Sequence, residues 1–255
     1  MKSKGRAGQV AILAQKVRKQ YPGGTEPALE DFSLHVEQGE FFGLLGPNGA
    51  GKTTAVSILC GLFPPDSGLV RIMGLDVCSQ GRAVKALSGL VPQDLALYEG
   101  FTVSENLRFF GRLYGLGGRR LQRRIDWCLE LAALADHGDR LVKTCSGGMK
   151  RRLNLVAGLL NEPDILFLDE PTVGIDAQSR NLIHEQLLRL KDQGATIIYT
   201  THYMAEAMEL CDRIGIVDHG RLVAEGPPGE LLQRSSCDSL EALFLHLTGR
   251  QLRDS

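Results

Sequence analysis

The sequence predicts an α/β fold with a mainly parallel sheet and an inserted helical subdomain. Short, fully apolar runs recur at 87–93 (LSGLVPQ), 164–170 (DILFLDE), 195–201 (ATIIYTT) and 213–226 (RIGIVDHGRLVAEG). Helical patterns separate them, the alternation expected when strands are covered by helices. Residues 94–160 carry no strand signal although they lie between two strand runs, which points to the insertion.

The elements follow in order. From Val10 to Gly43 the chain is mostly strand-like. ALEDFSLHVEQGEFFGLLG alternates apolar and polar residues, then becomes wholly apolar, as a strand does on passing from a half-wet sheet into a covered one. A buried strand is expected at Phe41–Leu45 and a helix at Thr53–Leu62. TVSENLRFFGRLYGL opens with a cap-like Thr102 or Ser104 and with Glu105, and a second helix, RRLQRRIDWCLELAAL, follows. In TCSGGMKRRLNLVAGLL, Ser146 reads as an N-cap. Leu153, Val156, Ala157 and Leu160 then fall on one helix face. VDHGRLV reads as a hairpin turning at Asp218-His219-Gly220. The last twenty residues read as a short amphipathic helix and a polar tail.

Composition limits the function. The 255 residues are 43% apolar and 23% charged, with a net charge of −1, so no global basic field draws the chain to nucleic acid. No apolar run reaches the ~18 residues of a membrane span, and VAILA near the start is too short for a secretory core. The six cysteines are scattered without a Cys-x-x-Cys pair, so buried free thiols are expected rather than disulfides or zinc.

Residues Gly46-Pro47-Asn48-Gly49-Ala50-Gly51-Lys52-Thr53, followed by Thr54, fit the pattern G-x-x-x-x-G-K-[ST] between a strand and a helix. The glycines let backbone N–H groups curl around an anion, and the helix N-terminus adds partial positive charge. Lys52 can reach the β- and γ-phosphates of a nucleotide, and the Thr53 hydroxyl can ligate Mg²⁺. ILFLDEP is an apolar strand ending in two acids. Asp169 suits Mg²⁺, directly or through water, while Glu170 can polarise an attacking water. The Asn-Lys-x-Asp of guanine readers is missing. A second anion site is expected at CSGGMKRR, where Ser146 precedes the bare amides of Gly147 and Gly148. There Lys150, Arg151 and Arg152 stand where the helix dipole disfavours cations.

With these motifs in order, residues 9–235 resemble the nucleotide-binding subunit of an ATP-binding cassette (ABC) transporter. Gly46–Thr54 match Walker A, Gln93 in GLVPQD the Q-loop, CSGGM the signature, ILFLDEP Walker B, VGID with Asp176 the D-loop, and His202 in TTHYMAEA the switch histidine. Tyr21 resembles the A-loop aromatic that stacks on adenine. The resemblance implies a P-loop NTPase (RecA-like) core with an N-terminal antiparallel β subdomain and a helical subdomain at about 94–160. A short helix and tail, 236–255, would follow the cassette. It also implies ATP and Mg²⁺ as ligands, and a homodimer or heterodimer closing head-to-tail around two ATP molecules. In that dimer Ser146, Gly147 and Gly148 would contact a γ-phosphate in trans, Glu170 would act as base, and His202 would hold the γ-phosphate. Gln93 would touch Mg²⁺ and water, and Asp176 would link the two sites.

Two residues depart from the family's Leu-Ser-Gly-Gly-Gln signature: Cys145 replaces Leu and Met149 replaces Gln. Loss of the amide predicts slower turnover. LFLDEPTVGIDAQSR and SLEALFLHLTGR look like the ABC-2 type exporters of drugs, lipids or polysaccharides. This implies a separate transmembrane permease subunit, a place on the cytoplasmic face of the membrane, and no nucleic-acid partner. Phe101, Phe109 and Phe110 would line the permease groove or pack in the core. Two other readings remain: a soluble ABC ATPase outside transport, and a nucleotide-gated regulatory module with little turnover.

Overall fold

A computed structural model describes residues 8–249. Strand β1 (Val10–Lys19), β2 (Leu29–Glu37) and β3 (Phe41–Leu45) open the chain, and α1 (Lys52–Leu59) follows the glycine-rich turn. Next come β4 (Ser67–Ile72), β5 (Leu75–Asp76), α2 (Gly81–Leu87) and β6 (Ser88–Val91). The insertion consists of α3 (Val103–Leu113), α4 (Gly118–Leu131), two 3₁₀ turns at Ala135–His137 and Val142–Thr144, and α5 (Gly147–Ala157). The core resumes with β7 (Ile165–Asp169), α6 (Ala177–Asp192), β8 (Thr196–Thr201), α7 (Met204–Leu210), β9 (Arg213–Asp218) and β10 (Arg221–Gly226). Helices α8 (Pro228–Ser235) and α9 (Leu240–Thr248) end the described chain. The polar tail expected beyond α9 lies outside the described residues.

Two sheets form. One is antiparallel, in the order β2-β1-β4-β5; the other runs β10-β9-β3-β8-β7-β6, with parallel neighbours throughout except the β9–β10 hairpin. Every residue of β3, β7 and β8 is buried, so these strands read as continuous apolar runs rather than alternating ones. The hairpin turns at His219 and Gly220, both with positive φ (44° and 71°), the geometry that matches the twist of its strands. Gly220 also lets the hairpin meet the antiparallel sheet: its carbonyl accepts the Glu30 N–H at 3.0 Å, and a Cβ there would meet Ala28 O at 2.7 Å.

The helical insertion is as expected, with one isolated bridge joining Thr102 to Leu141. Thr102, not Ser104, caps α3 and forms a full capping box with Glu105. Its apolar residues merge with one side of the parallel sheet in one core, where Val103, Leu107, Ile125, Leu153 and Val156 join Leu166, Leu168, Ile197 and Tyr199. The cysteines correct one expectation. All are free, but only Cys60 and Cys128 are buried; Cys78 is exposed and the rest are half-buried. Burial pushes the Cys60 thiol up to about 11 and that of Cys128 to about 12. Among the described residues no helix is long and apolar enough to cross a membrane.

Candidate functional site at the carboxyl edge of the parallel sheet

Register brings the motifs together. Leu45 pairs with Thr201 and Asp169 with Thr200, so the turn after β3, the acids ending β7 and His202 after β8 stand at one level. This is the carboxyl edge of three adjacent parallel strands, where ligands of open α/β sheets bind.

The turn itself is held by backbone fit. Gly46 lies so close to β9 that a Cβ would meet Val217 O at 2.4 Å. Gly51, at φ 105°, would place one 2.4 Å from Ala28 O. Pro47 O accepts the Ala50 N–H at 3.1 Å, and Ala50, buried, accepts the Gly220 N–H at 2.9 Å. Asn48 and Gly49 form the exposed tip, with Gly49 at φ 82°. Helix α1 starts with no side chain on its first amides, so the N–H groups and the dipole face the turn. Two close-fitting glycines and a bare helix N-terminus form a cradle suited to phosphate.

Lys52 is 4% exposed. Its Nζ donates to Gly46 O at 2.7 Å and Pro47 O at 3.2 Å, and lies 3.2 Å from Glu170 Oε1. The second oxygen of Glu170 stands 3.1 Å from His202 Nδ1. Glu170 thus bridges the lysine of the turn and the histidine after β8. It has φ 45°, a left-handed conformation uncommon for a side-chain-bearing residue. Its N–H donates to Thr200 Oγ1 at 3.0 Å and Thr200 O at 3.2 Å. The same Thr200 hydroxyl donates to Asp169 Oδ1 at 2.6 Å. One threonine therefore touches both acids, through the Glu170 amide and the Asp169 carboxylate. Thr200 itself was not expected; the signal is the Thr-Thr pair closing an apolar strand just before His202.

The Thr53 hydroxyl is exposed beside this cluster in sequence, and Asp169 is 3% exposed. A hydroxyl and a carboxylate are hard oxygen donors, which fit Mg²⁺. No group of three or more His, Cys, Asp or Glu among the described residues could hold a metal. One hydroxyl and one carboxylate would leave such an ion most of its positions for water and phosphate oxygens. Tyr21 is 44% exposed; its hydroxyl lies 3.3 Å from Thr54 Oγ1 and its ring stands edge-on to Phe63 at 6.0 Å. An open aromatic face thus stands over α1. Gln93 is exposed just past β6, and its carbonyl accepts from Arg151 Nη1.

The signature region is separate. The Ser146 hydroxyl caps α5, accepting the Met149 N–H at 3.2 Å; Ser146 and Gly147 are exposed. Gly148 is buried against α6, where a Cβ would meet Ser179 Oγ at 2.0 Å. Asp176 caps α6, accepting from the Ser179 N–H at 2.9 Å and hydroxyl at 3.0 Å, and those bonds hold its carboxyl below the usual range. The three cations do not add to an anion site, which corrects the sequence expectation. Lys150 pairs with Glu99 at 2.6 Å, Arg151 donates to Gln93 O, and Arg152 donates to Ala132 O at 2.7 Å. They fasten α5 to the chain after β6 and to the end of α4. Met149 is packed in the core at 9% exposure, so its side chain is not offered at the surface with Ser146.

Comparisons with known proteins identify the family. The ABC transporter family profile matches residues 29–173, more than half of the chain. The linearmycin resistance ATP-binding protein LnrL of Bacillus subtilis (strain 168) is 44% identical over 229 residues, covering 90% of this chain and 73% of that protein. The Nod factor export ATP-binding protein I of Paraburkholderia xenovorans (strain LB400) is 44% identical over 234 residues, covering 91% and 76%. A dimeric structure of a post-hydrolysis state of the ATP-binding cassette MJ0796, bound to ADP and Pi, superposes with a TM-score of 0.78. Its identity is 26%, and the match covers 85% of this chain and 98% of that one. The chain belongs to the ABC transporter family and is an ATP-binding subunit that hydrolyses ATP.

Proposed function

We propose that this subunit powers an exporter through a head-to-tail dimer that closes around two ATP molecules. The observation that carries the reading is the bridging position of Glu170 between Lys52 and His202. A carboxylate there can orient and deprotonate a water attacking the γ-phosphate, while Lys52 and the amides of residues 46–54 hold the phosphates. Mg²⁺, when bound through Thr53, Asp169 and Gln93, supplies charge neutralisation for the phosphates. His202 holds the γ-phosphate, and Tyr21 stacks on the base.

Ser146 and Gly147 are exposed, and they stand on a different element from the Lys52 cradle. That separation supports their contacting the nucleotide of a partner subunit, with Gly148 keeping α5 against α6 and Asp176 linking the sites. Tyr98 and Phe101 are 48% and 38% exposed and form an edge-on and tilted aromatic cluster with Phe109 and Phe110, with ring centroids 4.7–6.1 Å apart. Such an open aromatic face suits a segment of a separate permease subunit, which would hold this chain at the cytoplasmic face of the membrane. The names of the relatives, linearmycin resistance and Nod factor export, support export.

Phosphate release with Glu170→Gln tests the core of this reading. Turnover should fall about 10²-fold or more while ATP binding persists. Undiminished turnover would overturn the role of Glu170. Co-purification of a membrane protein with the tagged chain tests the transport role, and a chain recovered alone from detergent-solubilised membranes would contradict it.

A further inference from the structure

Just past His202, α7 sends a carboxylate into the interior that the proposed chemistry does not use. Glu206 is 4% exposed. Its Oε1 accepts from Thr172 Oγ1 at 2.8 Å and lies 3.5 Å from His184 Nε2 and 3.8 Å from Arg180 Nε. Its Oε2 accepts from the Tyr199 hydroxyl at 2.8 Å and from Thr201 Oγ1 at 2.9 Å. Burial alone would raise its pKa. The contacts from His184, Thr172, Tyr199 and Thr201 outweigh burial and hold the carboxyl below the ordinary glutamate value.

A buried charge is costly unless its lone pairs find partners, and here the contacts come from three neighbouring segments. Thr172 belongs to the turn after Glu170. Tyr199 lies within β8 and Thr201 ends it. Arg180 and His184 belong to α6, the helix that Asp176 caps. Glu206 itself belongs to α7. Thr201 Oγ1, while donating to Glu206, accepts the Tyr203 N–H at 2.9 Å. The residues on both sides of His202 are therefore tied to one carboxylate. The Tyr203 ring stands 4.2 Å from that of His202, and the Arg180 guanidinium 5.7 Å from the Tyr203 ring.

We propose that Glu206 is a positioning residue that fixes the pose of His202 against Glu170 and ties that pose to α6. The inference rests on the reading of His202 as a γ-phosphate contact. Glutamine fills the same volume but replaces one acceptor oxygen with a donor amide, which must face part of a ring of donors. The Lys52 cradle shares none of these contacts, so ATP affinity should not follow.

A kinetic double-mutant cycle on the full chain, reading phosphate release from MgATP, tests this. Glu206→Gln should lower kcat about tenfold with KM within about twofold, since small misplacement near reacting groups is costly. In a His202→Ala background the same substitution should change the residual rate by less than about twofold, because the group it positions is gone. Thr201→Val, which cuts the link to the Tyr203 N–H and leaves the charge, should behave likewise. It carries the cycle should Glu206→Gln fail to fold. A full wild-type kcat in Glu206→Gln overturns the proposal. So does an equal loss in both backgrounds with His202→Ala slow, which marks a merely structural role. A wild-type rate in His202→Ala overturns the reading of His202 itself, and this inference with it.

Discussion

Glu170 concentrates the chemistry at the residue scale. It sits in a left-handed conformation at a strand end, its two oxygens face a lysine and a histidine, and its amide is held by Thr200. Met149 shows the opposite case, a signature position turned inward. Because its side chain lies in the core, Met149→Gln would bury an amide without a partner. It should lower unfolding stability by about 1–3 kcal/mol in urea melts without speeding turnover. A faster enzyme would show that the missing amide acts on the phosphate after all. Glu206 gives a pH prediction. Its carboxyl is held below its ordinary value, so its stabilising contribution is complete above the unfolded pKa of about 4.3 and disappears as pH falls through the folded value. The wild-type Tm should therefore drop more than that of Glu206→Gln when pH is lowered below about 4. Equal drops would deny the depressed titration.

Elements decide how these residues meet. Helices α5 and α6 approach so closely at Gly148 that a methyl group would enter the Ser179 hydroxyl, which is itself held by Asp176. Gly148→Ala should cost about 1–3 kcal/mol of stability and weaken nucleotide-dependent association, read by thermal unfolding and sedimentation. Unchanged values in both would show that the contact yields freely. The same helices show what a sequence makes legible. The glycine-rich turn, the acids at the end of β7 and the cap of α5 were readable because local chemistry fixes them. The cations Lys150, Arg151 and Arg152 suggested an anion site, since their partners Glu99, Gln93 O and Ala132 O lie far away in sequence. Strands β4 and β5 and helix α2 gave no clear signal. β4 owes its place to antiparallel pairing with distant β1, and Gly68, at φ 95°, breaks its alternation. Nothing in the sequence singles out Glu206, and only packing places it between α6, β8 and the turn after Glu170.

At the scale of the molecule, a parallel sheet carries the phosphate cradle and its acids on one edge, and a helical insertion carries an exposed serine-capped helix start elsewhere. The two sheets meet through the hairpin at Gly220, so the cradle at Gly51 and the antiparallel sheet share a wall at Ala28. By the reading above, this division explains why one subunit would hold two devices for anions and complete its site only with a partner. Sedimentation of the full chain with MgATP tests that claim most directly. Glu170→Gln should run as a dimer, and Glu170→Gln combined with Ser146→Arg should bind ATP yet remain a monomer. A doubly substituted chain that dimerises with ATP as readily as Glu170→Gln alone would contradict the account.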